Sequence, residues 1–241
     1  MTQRSNEHGQ PIGEPLGDWS PPPRPPRDPM VGHWCRIEPV DPVAHGEDLW
    51  NAVSLDTAGR NWTYLGYGPF EHRADYQAWL EGVAAGDDPL FHTIIESASG
   101  RAVGVASLMR IDPANGCIEV GHIHYSPALQ RAPAATEAMF LLMQRVFALG
   151  YRRYEWKCDH LNAPSRAAAQ RYGFSYEGVF RQAVHYKGRN RDTAWYAIID
   201  KEWPALEQVY RAWLAPENFD AEGQQKTSLS QATRPLLVAT G

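Results

Sequence analysis

The stretch from Ile118 to Ala138, IEVGHIHYSPALQRAPAATEA, gathers most of the side chains that could do chemistry. It reads as a strand, a short loop and a helix whose first turn carries small residues. A helix N-terminus exposes unpaired N–H donors and the positive end of its dipole, so a diphosphate can rest there. Small side chains at Ala132, Ala134 and Ala135 would let phosphate oxygens reach that backbone, with Arg131 adding charge and Thr136 a hydroxyl donor. On the strand, a period of two places His122 and His124 on one face and Glu119 and Tyr125 on the other. A histidine titrates near neutrality and can accept a proton directly or through water. Glu119 is the rival base, because burial raises a carboxylate's pKa. Packing or ordinary hydrogen bonding is the alternative account of each histidine.

These residues need elements to hold them. The pattern gives a strand at Cys35 to Val40, then helices at Val43 to Ser54 and Phe70 to Val83 with apolar residues at helical spacing. Strands follow at Phe91 to Glu96, Ala102 to Ile111 and Ile118 to Tyr125, the last two joined through an Asn115-Gly116 hairpin turn. Ala134 to Ala148 is a helix stopped at Gly150, Tyr154 to Cys158 a strand, and Pro164 to Tyr172 an alanine-rich helix ending at Gly173. Phe174 to Tyr186 and Thr193 to Asp200 are strands linked by a basic turn, Lys187 to Arg191, read as a solvated hairpin tip, with contact to an acidic acceptor as the alternative. A last helix covers Pro204 to Leu214. The order predicts an α/β chain with a mixed sheet, an antiparallel meander leading into a strand–helix–strand crossover. The proline-rich leader, 1–30, reads as an irregular arm or linker, 31–215 as one domain and 216–241 as a tail.

The loop Gln130-Arg131-Ala132-Pro133-Ala134-Ala135 resembles the Gln/Arg-x-x-Gly-x-Gly/Ala loop of GNAT acetyltransferases. Thr136-Glu137-Ala138 resembles the TEA of that superfamily's RimJ/RimL-like branch. Asn162-Ala163-Pro164-Ser165, Gly173-Phe174 and Glu177-Gly178 resemble the same branch's N-x-x-S…GF…EG motif. The resemblance spans roughly 34–203. It implies the GNAT fold: about seven strands splayed between the fourth and fifth, flanked by about four helices and a C-terminal helix. It also implies transfer of the acetyl group of acetyl-CoA to a primary amine, a protein N-terminus or a small molecule, by direct attack in a ternary complex. The diphosphate would lie on 130–136, and the pantetheine arm between His124–Tyr125 and Cys158–Asn162, with Asn162 hydrogen-bonding it. Ser165 would protonate the leaving thiolate in place of the tyrosine that many members carry where this chain has Ala169; an ordinary helix-start serine is the alternative. Trp62, Tyr64, Tyr67 and Phe70 would wall the acceptor pocket or pack the core. Pro133 stands where the family has its first glycine and has no N–H to give, which Arg131 and Thr136 would offset. Two other readings stay open: a CoA-binding sensor or scaffold without activity, and an acyltransferase that uses succinyl-CoA.

Bulk properties set bounds. The 241 residues suffice for one medium domain with extra ends, at 43% hydrophobic and 21% charged. A net charge of −5 argues against general nucleic-acid binding. Cys35, Cys117 and Cys158 lie far apart and form neither a disulfide framework nor a zinc site, so no metal is expected. No apolar run approaches the ~20 residues that span a bilayer, and none resembles a signal peptide, which predicts a cytoplasmic monomer or homodimer without a membrane partner.

Overall fold

Asp41 starts the first long helix by accepting hydrogen bonds from the Val43 and Ala44 N–H groups, with Pro42 fixing its first turn. The computed structural model describes residues 4–221 and 223–241. In chain order the elements are β1 (Arg4–Ser5), β2 (Pro11–Ile12), β3 (Met30–Val31), β4 (Cys35–Pro39), α1 (Pro42–Val53), α2 (Arg73–Ala84), β5 (Leu90–Glu96), β6 (Ala102–Asp112), β7 (Cys117–Tyr125) and α3 (Pro133–Ala148). They continue with β8 (Arg153–Asp159), α4 (Ala163–Arg171), β9 (Ser175–Tyr186), β10 (Arg189–Ile199), α5 (Trp203–Leu214) and α6 (Leu229–Thr233).

One sheet holds eight strands in the order β3-β4-β5-β6-β7-β8-β10-β9. Its pairs are antiparallel except β7–β8, which the α3 crossover makes parallel. The mixed α/β architecture is the expected one. The eighth strand is the two-residue edge strand β3, just after the proline-rich stretch 19–29, where the sequence pattern gives no strand.

Two cores form on opposite faces. Ile118, Val120, Tyr154 and Trp156 pack with α3 and α5 on one. Leu49, Val53, Tyr76 and Leu80 of α1 and α2 cover Phe91, Ile95 and Val105 on the other. The C-terminal stretch expected as a tail differs from that reading. It carries α6, whose Leu229 and Thr233 are buried, and the Thr233 hydroxyl donates to the Arg171 carbonyl at 3.0 Å. The N-terminal arm lies on the domain. The Trp19 indole donates to the Gly150 carbonyl at 3.1 Å, and Arg27 donates to the carbonyls of Ala84 and Gly86 at 3.2 and 2.6 Å.

Candidate active site

β7 and β8 pair only from Cys117↔Arg153 to Val120↔Trp156, then diverge. Into the gap opens a cleft of about 470 Å³. Its walls include Asn61, Tyr64, Glu119, His122, His124, Tyr125, Gln130, Lys157, Asn162, Ser165 and Arg191.

A bulge shapes β7 at the mouth of this cleft. Gly121 pairs with Ser107 and His124 with Val105, so β7 carries one more residue than β6 there, and His122 takes φ +49°. The extra residue shifts the alternation and corrects the face assignment made from period two. Glu119 lies on the histidine side, and Tyr125 turns to the opposite face among the α3 core. Trp62 stacks on His124 at 3.9 Å, while Tyr67 and Phe91 flank His122 at 5.6 and 4.9 Å. Of the four aromatics expected in the acceptor wall, Tyr64 lines the cleft and donates its hydroxyl to the Leu161 carbonyl at 3.2 Å. Trp62, Tyr67 and Phe70 instead belong to the core behind the histidines.

Electrostatics separates the candidate bases. Burial holds the His124 imidazole down at about 4, and burial followed by the Arg110 charge lowers His122. Both rings are therefore neutral and weakly basic at neutral pH. Burial pushes the Glu119 carboxyl up, against opposing pulls from Lys157 and Arg110. The Lys157 ammonium sits 2.9 Å from Glu119 and 2.6 Å from Glu155, and 3.8 Å over the Trp195 ring. Sequence reasoning missed Lys157. Its signal is the alternation Glu155-Trp156-Lys157-Cys158-Asp159, which puts every ionisable group except the Cys158 thiol on one face of β8.

On one side the cleft ends at Gln130, on the loop that leads into α3. Ala132 is its N-cap and supplies no side-chain acceptor, with Pro133 in the first turn. The N–H groups of Ala132 and Ala135 bond to the Leu129 and Ala132 carbonyls; among the described residues, those of Arg131 and Ala134 meet no acceptor. Arg131 holds φ +66° and is exposed. Gln130 turns back, its amide donating to the Tyr125 carbonyl at 2.9 Å and to Asn61 at 3.1 Å. Thr136 turns inward, and its hydroxyl accepts from Arg171 at 3.0 Å. Asn162 caps α4 by accepting from the Ser165 N–H at 3.1 Å, and the Ser165 hydroxyl accepts from the Trp156 indole at 3.1 Å. That acceptance leaves the Ser165 proton free to be donated. Cys158, beside Ser165, is buried and its thiol is pushed up by that burial, so it is a poor nucleophile.

Free N–H donors on an uncapped helix start and an unpaired strand edge fit a ligand with a diphosphate and an amide-bearing arm. Among the described residues, no group of three His, Cys, Asp or Glu side chains could hold a metal ion, and no helix is long and apolar enough to cross a membrane.

A mixed sheet splayed beside a crossover helix defines an acetyltransferase architecture, and comparison with known proteins agrees. A family model described as an acetyltransferase (GNAT) domain matches residues 41–175. A GCN5-related N-acetyltransferase from Brucella melitensis is 52% identical, with 90% of this chain and 99% of that chain covered and a TM-score of 0.88. A probable acetyltransferase (GNAT family) from Chromobacterium violaceum is 39% identical over 81% of this chain and 98% of that one, at TM-score 0.75. The chain belongs to the GNAT acetyltransferase family. The Salmonella typhimurium acetyltransferase that modifies the N-terminal serine of ribosomal protein L7/L12 is 22% identical over 71% of this chain and 99% of that one, at TM-score 0.61. At that identity the likeness is one of fold. No curated protein matches the chain.

Proposed function

We propose that the chain is an acetyl-CoA-dependent N-acetyltransferase in which a primary amine attacks the thioester directly within a ternary complex. The observation that carries the reading is one cleft between the diverging β7 and β8, running from Gln130, on the loop that leads into the uncapped start of α3, to the bulge of β7 beside Glu119. When bound, acetyl-CoA supplies the activated acetyl group. The Arg131 and Ala134 N–H groups and the α3 dipole hold its diphosphate, and the diverging edges of β7 and β8 hold its arm.

Glu119 accepts the proton of the attacking amine, directly or through water, because its raised pKa brings a carboxylate nearer the operating pH than the two buried imidazoles. N–H groups of the β7 bulge, outside the ladder at His122 and Ile123, offer donors where negative charge develops on the carbonyl oxygen. Ser165 donates its proton to the departing thiolate. His122 and His124 shape the wall, and Trp62 keeps His124 in place.

Calorimetry with CoA, combined with thiol release from acetyl-CoA across a panel of amines and peptide N-termini, tests the reading. Micromolar binding with turnover on at least one amine is expected. Binding with no turnover on any of them indicates a sensor or scaffold, and no binding removes the whole proposal.

A further inference from the structure

Resting on the transferase reading, the inference concerns which amines the cleft takes. Three cations line it, Arg110, Lys157 and Arg191, against two carboxylates, Glu119 and Asp159. Lys157 is ion-paired to Glu119, and Arg110 lies 3.5 Å from the same carboxylate. Asp159 accepts from the Tyr186 hydroxyl at 2.8 Å and from the Leu161 N–H at 2.9 Å. Arg191 alone has no match. Among the described residues no carboxylate lies within ion-pair distance of it, and its Nε is buried with no hydrogen-bond partner. The neighbouring acid, Asp192, faces the other way, where its carboxylate accepts from the Gln182 N–H at 2.7 Å and the Asn190 amide at 2.9 Å.

The strand around Arg191 repeats the pattern. Lys157 pairs with Trp195 and Asp159 with Thr193 in the β8–β10 ladder, so positions 191, 193 and 195 share the cleft-side face. Thr193 Oγ1 and Trp195 Nε1 are also buried without partners. Three successive positions on one strand face thus hold unspent hydrogen-bonding capacity, two of them pure donors. Above them the hairpin tip brings Lys187 and Arg189 over the cleft, donating to the Trp62 and Thr63 carbonyls at 2.8 Å each. This positive mouth sits on a chain whose net charge is −5. A buried donor left unmet costs free energy that an oxyanion would recover, and guanidinium is suited to a carboxylate or phosphate.

We propose that the acceptor is an amine whose molecule also carries an oxyanion, and that Arg191 is the residue that reads it. The amine goes to Glu119 and the oxyanion to β10.

Matched acceptors test this: β-alanine against n-propylamine, phosphoethanolamine against ethanolamine, and the free N-termini of Ala-Glu and Ala-Gln amides. For the full-length enzyme, kcat/KM is expected to favour the anionic member of at least one pair by about tenfold or more. The pair that responds separates a carboxylate from a phosphate and a small molecule from a peptide. In Arg191→Met that ratio should collapse through KM rather than kcat, and Arg191→Lys should restore part of it. CoA affinity in each variant reports that the fold and the donor site survive; if Arg191→Met does not fold, the wild-type ratios decide. Turnover that ignores or disfavours the oxyanion in every pair overturns this inference and leaves the transferase reading standing. Failure to release thiol with any acceptor overturns both.

Discussion

Glu119 is the residue on which the proposed chemistry turns, a carboxyl raised by burial and held 2.9 Å from the Lys157 ammonium in the cleft. Its strand, its neighbours His122 and His124 and its candidacy as a base follow from the pattern of Ile118 to Tyr125. Its face does not: Gly121 hints at an irregularity in the strand, but the left-handed backbone conformation falls on the next residue, His122, and a lone glycine does not show that a residue is inserted. Counting by twos cannot see an inserted residue. With Glu119 and the histidines on one side, a division of labour becomes testable. Glu119→Gln should lower kcat/KM by about 10²–10⁴, the usual worth of a general base, with CoA affinity unchanged. Because burial raises the Glu119 carboxyl, wild-type kcat/KM should climb with pH through a value above the ordinary ~4.3 of glutamate. The variant should lack that limb, and a limb that survives in it would assign the titration elsewhere. Ser165→Ala should lower kcat by about tenfold or more, read by thiol release, if its proton assists the thiolate.

At the level of elements, the crossover β7–α3–β8 was readable because its signals are local: a long apolar stripe, a proline in the first turn, a glycine stop. The device that ties α3 to the sheet edge was not. Glu137 belongs to a stretch that sequence alone treats as a family mark. In the fold its carboxylate is buried and accepts from three consecutive backbone N–H groups, those of His33, Trp34 and Cys35, at 2.8, 2.6 and 2.7 Å. These donors close the β3–β4 turn, and a Cβ at Gly32 would collide with the carboxylate. No pattern within the helix predicts partners about a hundred residues away. Glu137→Ala leaves three N–H groups facing an apolar cavity and should cost about 3 kcal/mol or more in denaturant unfolding. Gly32→Ala should also destabilise, by a smaller amount if the carboxylate can shift. The short strand β3 and helix α6 escaped for a related reason. Two and five residues carry too little periodicity to read, and both exist because the domain supplies their partners.

The whole molecule is held on both faces of its sheet by cores that bury imidazoles, and this gives it a pH dependence that no single element shows. His92 on β5 is 1% exposed and His124 is 2% exposed. Burial is the main cause that lowers each ring to about 4, helped at His92 by the charges of Arg145 and Arg27 and opposed at His124 by Asp56. In the unfolded chain the same rings titrate near 6.5. Between about 6.5 and 4 the unfolded state therefore binds more protons than the folded one, so stability is complete above the upper value and drains away as pH falls through the window. A gap of this size corresponds to roughly 3 kcal/mol per ring at its fullest. For a chain of this length the two together should lower Tm by about 10 °C or more between pH 6.5 and pH 4. Thermal scans across that range measure it directly. His92→Gln removes one of these titrations and should reduce the slope of stability against pH, with His124 and His122 supplying the remainder, even where it lowers stability at neutral pH. An unchanged slope in that variant would mean that His92 takes up its proton as readily in the fold as in the unfolded chain, in conflict with its burial on β5.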